Sequence, residues 1–169
     1  MRSDYEIGPT TARDKVEVER VLKASYEIAF REAYDRKLVE ALLPMVTRAS
    51  PRLLDSGRYF LVRARDCVVG VGGWSHEYPG KDRCEAGLAH LRHFAVVPEW
   101  FGKGVGSLIC RTSINRAIGE GVEEMEVYSS LNAEKFYASQ GFEKIGNFEV
   151  AMSDGRLFPS IQMRRKIHL

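Results

Sequence analysis

Three glycines at every second position mark the part of this sequence best suited to chemistry. They are Gly102, Gly104 and Gly106, and they follow an apolar run that ends at Val97 and Pro98. Glycine has no Cβ, so alternating glycines let main-chain amides approach a ligand closely. The residues after them are predicted to begin a helix, which adds unpaired N–H groups and the positive end of the helix dipole. The pattern predicts a binding site for an anion the size of a pyrophosphate.

Two known types of glycine loop do not fit this spacing. A Walker loop requires Gly-x-x-x-x-Gly-Lys followed by Ser or Thr, whereas Lys103 is followed by Gly104. A Rossmann loop requires Gly-x-Gly-x-x-Gly soon after a strand, whereas here Gly-x-Gly-x-Gly follows a connector that starts at Pro98. A nucleotide- or dinucleotide-binding enzyme that uses the glycine turn alone is therefore the least favoured interpretation.

The elements that would position this turn follow from the hydrophobic periodicity. Apolar residues at every fourth position predict a long helix from Asp14 to about Tyr34, and a second helix is predicted from Lys37 to about Thr47. Alternating runs on either side of Asp66 and Cys67 predict an antiparallel hairpin. The other predicted elements are strands at 5–9, 88–97, 126–128, 142–152 and 158–167, and helices at 105–119 and 132–140. The predicted order is β, α, α, β, β, β, α, β, α, β, β.

Two stretches resemble the signature motifs of the GNAT N-acetyltransferases. Arg92 to Gly106 is similar to the family's cofactor loop, Val-x-Pro-x-x-(Arg/Gln)-Gly-x-Gly-x-Gly/Ala, and departs from it at Phe101, where the family usually has Arg or Gln. Residues 133–142 resemble the closing motif, Ala-x-x-Phe-Tyr-x-x-x-Gly-Phe, at the family's usual offset. The resemblance covers residues 4–167 and implies one domain. It implies an α/β (α+β) fold: a mixed, mostly antiparallel sheet, flanked by helices and splayed open to admit a cofactor.

The resemblance implies acetyl-CoA as the acetyl donor. Main-chain N–H groups of the glycine turn and the following helix would hold its pyrophosphate; these residues are Phe101, Gly102, Lys103, Gly104, Val105, Gly106 and Ser107. Backbone groups left unpaired where the strands part would contact the pantetheine arm and the oxyanion; these belong to Phe94, Ala95 and Val96. Asn132 is left open between a cofactor contact and a helix cap.

Acetyl transfer from a thioester to an amine needs a neutral nucleophile, a stabilised oxyanion and a proton for the departing thiolate. By resemblance, Tyr137 donates that proton. The base is left open: His90 lies where many relatives carry a Glu base, and strict alternation would turn His93 to the opposite face unless a bulge intervenes. A water chain with both histidines structural is an equally good interpretation, and His76 and Glu77 are weaker candidates.

The acceptor amine is expected near the first two helices and the loop from His76 to Glu85. An aromatic stripe of Tyr26, Phe30 and Tyr34 could flank it, although such a stripe is more typical of plain core. Acidic side chains could attract a cationic amine, although most such charges are simply solvated; they are Glu27, Glu32, Asp35 and Glu40.

Composition narrows the partners. A net charge of +2 without a long Lys/Arg run argues against nucleic acid. Three widely spaced cysteines favour reduced thiols over a disulfide framework or a metal site. The absence of a long apolar stretch and of a signal-peptide pattern predicts no membrane association and a cytoplasmic location. A homodimer is left open, since small enzymes commonly form one.

The leading interpretation is an acetyl-CoA-dependent N-acetyltransferase that acts on a primary amine of a small molecule or peptide. The alternative is a non-catalytic acyl-CoA-binding regulatory module on the same fold, in which Tyr137 is structural. The retained tyrosine favours the first interpretation, and the aromatic side chain at Phe101 favours the second.

Overall fold

The computed structural model describes residues 4–168, which form seven strands and five α-helices. In chain order they are β1 Glu6–Pro9, α1 Lys15–Ala29, α2 Arg36–Val46, α3 Pro51–Leu54, β2 Tyr59–Ala64, β3 Cys67–Ser75, β4 Leu88–Val96, α4 Val105–Gly119, β5 Glu124–Ser130, α5 Glu134–Ser139, β6 Glu143–Ala151 and β7 Leu157–Lys166. The predicted order of elements is confirmed, with α3 as an addition.

The seven strands form one mixed sheet in the order β1-β2-β3-β4-β5-β7-β6. Neighbouring strands are antiparallel except for β4 and β5, which are parallel. A parallel pair needs a crossover connection, and α4 supplies it between these two strands. The predicted mostly antiparallel sheet flanked by helices is confirmed.

The sheet opens in its middle. The parallel pairing of β4 with β5 joins only Leu88–Ala89–His90 to Glu124–Met125–Glu126. Beyond these residues each strand keeps its outer partner, since β4 continues along β3 and β5 continues along β7. The expected splay of the two strands is therefore present.

Helices α1 and α4 pack on the central strands and bury most of the apolar core. Close packing of α4 requires a residue without a side chain on β3, because a Cβ at Gly70 would collide with Val105. This contact fixes the beginning of α4 over the sheet, next to the glycine turn that precedes it.

Three local predictions needed adjustment. The first helix ends at Ala29, and Phe30–Glu32 continue as a 3-10 turn. Pro51, predicted as a breaker, occupies the first turn of α3, where proline costs no hydrogen bond, and the Ser50 side chain caps that helix. The turn of the β2–β3 hairpin lies one residue earlier than predicted, at Arg65 and Asp66, both of which have positive φ.

Across residues 4–168, none of the helices combines the length and the apolar character that crossing a membrane would require.

Candidate active site

A long cleft lies where β4 and β5 part. It has a volume of about 1140 Å³ and extends from the glycine turn before α4 to a region enclosed by α1, α2 and the β6–β7 hairpin. All residues from Leu91 to Val96 line it on the β4 side, and Val127, Tyr128 and Ser130 line it on the β5 side. The two motifs recognised in the sequence thus lie on one continuous cavity.

The glycine turn presents main-chain amides to this cleft. Gly102 has φ +71° and Gly104 has φ +84°, a region that residues with a Cβ rarely adopt. Gly104 is the N-cap of α4, and no side chain caps this helix. The first-turn N–H groups, from Val105 to Ser107, therefore have no acceptor among the described residues. Together with the helix dipole they present the donors that the predicted anion site requires.

Gly106 has a different reason to be glycine. Its φ is not positive, but a Cβ there would lie 3.1 Å from the ring of Phe136. The ring of Phe136 in turn packs edge-on against Tyr137, with 5.1 Å between centroids. The two sequence motifs are therefore in direct contact, and the spacing of the glycines places α4 against α5.

Of the predicted turn residues, Lys103 is the one that does not line the cleft. Its carbonyl accepts a hydrogen bond from the Tyr5 hydroxyl at 2.8 Å, and its ammonium lies 4.9 Å from the ring centroid of Trp100. Phe101 lines the cleft with 45% of its surface exposed. Ser107 also lines it, and its hydroxyl accepts a hydrogen bond from Gln140 at 3.0 Å.

The β4 backbone offers main-chain groups to the gap at alternate residues. The amide of Val97 donates to the carbonyl of Val69 at 2.9 Å, and the register pairs Ala95 with Val71. In an antiparallel ladder every second residue bonds the neighbouring strand, so Ala95 turns its amide to β3 and Val96 turns its own to the gap. A main-chain contact from Ala95 to a ligand, as the sequence predicted, does not fit this geometry.

Phe94 is also turned away from β3, but its carbonyl already has a partner. The hydroxyl of Tyr26 donates to it at 2.9 Å. The backbone groups that the cleft offers a ligand on this strand are therefore chiefly those of Val96 and the N–H of Phe94.

Tyr137 lies on α5 with 6% of its surface exposed and lines the cleft. Its ring contacts those of Phe94, Phe136 and Phe142 edge-on. The hydroxyl has no hydrogen-bond partner within residues 4–168. Burial raises the pKa of Tyr137 well above its ordinary value, so the group carries its proton at neutral pH.

Asn132 lines the cleft and is exposed. The interpretation as a helix cap does not apply, because the N-cap of α5 is Ala133 and no side chain bonds to it. A cofactor contact stays the prediction for this residue.

The structure separates the two histidines of β4. His90, with 1% of its surface exposed, does not line the cleft. Its Nδ1 lies 3.4 Å from Oε1 of the fully buried Glu126, and its ring packs 4.2 Å from that of Tyr78. Burial lowers the pKa of His90 to about 4 despite the nearby Glu126, so the imidazole is neutral at physiological pH.

His93, by contrast, faces the cleft. The register of β3 and β4 shifts between Val71 and Gly73, and opposite this bulge His93 adopts φ +47°. The hydroxyl of Tyr59 donates to its carbonyl at 2.8 Å and holds this unusual conformation. Burial lowers the pKa of His93 to about 4, with a further contribution from Arg92. The bulge breaks strict alternation, as the sequence left open.

The far end of the cleft is partly aromatic. Tyr26 and Phe30 stack there with 4.7 Å between ring centroids and line the cavity. Tyr34 packs behind Phe30, with 5.4 Å between ring centroids, and does not line the cavity. Of the four acids considered in the sequence, Glu32 reaches this lining; Glu27, Asp35 and Glu40 do not.

Sequence reasoning did not find several lining residues. Arg92 was named only as the first residue of the stretch that resembles the cofactor loop, and nothing distinguished Arg48, Met152 or Phe158 from surface or core residues. Their positions depend on how the β6–β7 hairpin and the end of α2 fold over the cleft, for which the sequence carries no local signal.

A family model described as an acetyltransferase (GNAT) domain matches residues 30–165. No curated protein sequence matches the chain significantly. The match to the family model includes both sequence motifs and most of the residues that line the cleft.

Solved structures share the fold at low sequence identity. A GCN5-related N-acetyltransferase from Rhodopseudomonas palustris has a TM-score of 0.79 at 19% identity, over 98% of each chain. The PaiA N-acetyltransferase from Thermoplasma acidophilum, in complex with coenzyme A, has a TM-score of 0.68 at 15% identity, over 96% of this chain and 98% of that one. A ribosomal-protein-alanine N-acetyltransferase from Brucella melitensis gives 0.65 at 20% identity, over 95% and 99%. Because the family model covers most of the sequence and the fold agrees, this chain belongs to the GNAT acetyltransferase family.

Proposed function

We propose that this protein transfers an acetyl group from acetyl-CoA to a primary amine of a small molecule or peptide, with Tyr137 as the general acid. The amine attacks directly while both substrates occupy the cleft. A thioester donor supplies an activated acetyl group, and the residues of the chain bind it, orient it and manage the protons.

The observation that carries the proposal is the hydroxyl of Tyr137. Three other tyrosines, of which Tyr26 is partly buried and the other two are buried, each donate to a main-chain carbonyl: Tyr26 to Phe94, Tyr34 to Pro159 and Tyr59 to His93. Tyr137 has no such partner within residues 4–168, although only 6% of its surface is exposed. Tyr137 lines the cleft, and its hydroxyl is not among the buried polar atoms that lack a partner, so the hydroxyl is free to donate to a ligand atom there.

The remaining lining fits an acyl-CoA. The first-turn N–H groups of α4 would hold the pyrophosphate, with the help of the turn at Gly102 and Gly104. The free backbone groups of Val96 and Phe94 would bond the amide-rich pantetheine arm in the gap between β4 and β5. Phe101 and Asn132 also line the cleft and would contact the nucleotide portion or the arm.

The proton balance follows from these positions. The amine nitrogen forms a bond to the acetyl carbon, the carbon–sulfur bond breaks, and Tyr137 donates its proton to the departing sulfur. The amine loses its proton to water in the cleft, and a proton from water restores the Tyr137 hydroxyl, so that no proton is gained or lost overall. The products are an amide and a free thiol.

For the proton that the amine loses, the geometry favours His93 over the predicted His90. His93 lines the cleft, whereas His90 lies outside the lining and would act only through intervening groups. Since the pKa of His93 is about 4, this imidazole is too weak a base to remove a proton from an ammonium ion unaided. Its role would be to accept a hydrogen bond from the neutral amine or from a bridging water.

The test is thiol release from acetyl-CoA with a panel of primary amines, with mass spectrometry of the acetylated product. The proposal expects amine-dependent thiol release. Binding of acetyl-CoA by calorimetry, without release for any amine, would instead support the non-catalytic module.

A further inference from the structure

Arg92 is a charged side chain that the proposed chemistry leaves unused. It projects from β4 and lines two cavities at once: the large cleft, and a smaller neighbouring cavity of about 250 Å³ beneath the loop that follows β3. The side chain is partly buried, and burial lowers the pKa of Arg92. A guanidinium nevertheless stays protonated in a protein, so a positive charge lies in the wall shared by both cavities.

This charge has no counter-ion of its own. One nitrogen, Nη1, donates to the hydroxyl of Ser75 at 3.0 Å, and Arg92 forms no ion pair with any described carboxylate. Its Nε and Nη2 have no hydrogen-bond partner within residues 4–168. Neither is among the buried polar atoms that lack a partner, so both can donate to an anion that enters the cavities.

The acids around the smaller cavity are already engaged by other groups. Glu77 and Asp82 both pair with Arg52, at 3.4 and 3.2 Å. Glu120 pairs with Arg58 at 2.7 Å, outside the large cleft. Glu77 is the carboxylate that acts on Arg92 electrostatically, but it lies beyond ion-pair distance.

The other charges that line the large cleft are Glu32 and Arg48, and both side chains are exposed to solvent. Arg92 is therefore the one charged side chain of this lining, within the described residues, that is partly withdrawn from water. A cleft built for a purely cationic amine would be expected to carry an acid at this position instead.

Arg92 lies on the same strand as the proposed donor contacts. It precedes Phe94 by two residues and Val96 by four, which corresponds to roughly 7 to 13 Å along a strand. Its side chain extends towards Ser75, which pairs with His90, so an anion on its fork would lie on the side of Arg92 away from Val96, and the acceptor would extend back along β4 to place its amine near Tyr137. The planar fork, with two free donors, matches the two oxygens of a carboxylate.

We propose that the acceptor amine also carries a carboxylate, as an amino acid does, and that Arg92 binds this carboxylate in the cleft. This inference rests on the proposed acetyl transfer for its kinetic test, but its binding test does not. The role of Arg92 is to select and orient the acceptor.

The kinetic test compares amino acids with their carboxamides and their decarboxylated amines as acceptors in the thiol-release assay. The wild-type protein should prefer the carboxylate form by at least about 10-fold in kcat/KM, the effect of a hydrogen bond to a charged group. Arg92→Met should remove the preference mainly through KM, and Arg92→Lys should restore part of it. Arg48→Met, which removes an exposed cation of the same cleft, is the matched control and should keep the preference. Equal or better turnover of the uncharged forms by the wild type, as would follow from a peptide-chain acceptor, overturns the proposal.

The binding test is independent of turnover. With coenzyme A present, N-acetyl amino acids should bind the wild-type protein and Arg48→Met in titration calorimetry, and binding to Arg92→Met should be at least about 10-fold weaker. Coenzyme A binding by each variant verifies that it is folded. If no N-acetyl amino acid binds the wild type, or if Arg92→Met binds it equally well, the carboxylate site is wrong. Absent thiol release with intact carboxylate binding would refute the acetyl transfer instead.

Discussion

At the scale of single residues, Gly104 is the position whose backbone conformation matters most for the proposed anion site. Its φ of +84° turns the chain so that α4 can begin without a side-chain cap. A Cβ there would meet no atom within 4 Å, so a substitution costs backbone conformation rather than space. A substitution at Gly104 therefore tests the geometry of the main-chain amides without disturbing side-chain packing.

Gly104→Ala should weaken acetyl-CoA binding. Forcing a residue with a Cβ into the left-handed region costs about 1–2 kcal/mol, which corresponds to up to roughly 30-fold in the dissociation constant if the amides are to stay in place. Calorimetry measures this constant directly. Gly119→Ala is the matched control, because Gly119 ends α4 without a positive φ and also has open space around it. Unchanged affinity in Gly104→Ala would argue that the turn does not hold the pyrophosphate.

Tyr137→Phe should lower kcat by more than 10-fold, since loss of a general acid typically costs about 10²- to 10⁴-fold. Acetyl-CoA affinity should change little, because the ring and its three aromatic contacts remain. Tyr78→Phe, which removes a hydroxyl bonded to Glu85 outside the cleft, should leave kcat near its wild-type value. A Tyr137→Phe enzyme at the wild-type rate would exclude the phenol as proton donor.

At the scale of elements, β5 and β7 are joined by a charge cluster beside the paired part of the β4–β5 junction. Glu126 is fully buried and accepts hydrogen bonds from Arg164 at 2.6 Å and from Gln162 at 2.8 Å. Burial alone would raise the pKa of Glu126, but these hydrogen bonds lower it below the ordinary value. The carboxylate is therefore charged at neutral pH and depends on its partners.

Arg164→Ala should destabilise the protein by about 3–5 kcal/mol, the cost of leaving a buried carboxylate without its cation. Urea denaturation followed by circular dichroism measures this loss. Arg36→Ala breaks an ion pair with Glu40 in which the two side chains are 91% and 65% exposed, and it should cost little. Similar losses in both variants would mean that Glu126 does not need Arg164.

The pairing of β4 with β5 should also make stability pH-dependent through His90. Its pKa is about 4 in the folded chain and about 6.5 in an unfolded one, so the unfolded chain binds the proton more readily. The contribution of His90 to stability is thus complete above pH 6.5 and is lost as the pH falls towards 4. The full loss is on the order of 3 kcal/mol.

Comparison with His90→Leu isolates this contribution from the carboxylates that titrate over the same range. The difference in unfolding free energy between the wild type and the variant should shift in favour of the variant as the pH falls from 7 to 4. Parallel pH profiles of the two proteins would contradict a buried neutral imidazole.

At the scale of the whole molecule, the cleft separates two parts of the sheet. One part contains β1, β2, β3 and β4, and the other contains β5, β7 and β6; three residue pairs of the parallel β4–β5 junction join them. A ligand that contacts both parts binds the folded state alone and should stabilise it as a whole. The 169-residue length sets the size of the expected thermal shift.

Acetyl-CoA at 100 times its dissociation constant should add about 2.7 kcal/mol, which is roughly 5–10 °C in Tm for a chain of this size. NAD and ATP at the same concentration should shift Tm much less, since the turn lacks the spacing of either nucleotide motif. Differential scanning fluorimetry makes the comparison. A larger shift with NAD or ATP would point to a nucleotide enzyme.

Much of this fold could be predicted from the sequence. Helix α4 begins and ends as predicted, because Gly104 and Gly121 provide clear boundaries on either side. The predicted strand at 126–128 is longer in the structure, Glu124–Ser130, because acidic residues obscure its pattern. Arg164, the partly exposed partner that lets Glu126 lie inside, is distant in the sequence.

The candidate site could be predicted only where local motifs encode it. The glycine turn and Tyr137 belong to contiguous motifs and share one cleft in the structure. His93 and Arg92 could not be assigned, because the direction of their side chains depends on a bulge that forms against β3. Alternation along an isolated strand carries no information about such a shift.

Every second amide of β4 points into the gap between β4 and β5, so a ligand bound there can pair with β4 as a neighbouring strand would. Hydrogen–deuterium exchange at the Val96 amide should slow markedly when acetyl-CoA is added, because a new acceptor then covers it. The neighbouring Ala95 amide, already bonded across to β3, should exchange slowly with or without the ligand. Ligand-dependent protection at Val96 but not at Ala95 would show that the ligand forms main-chain hydrogen bonds with β4 in the gap between β4 and β5.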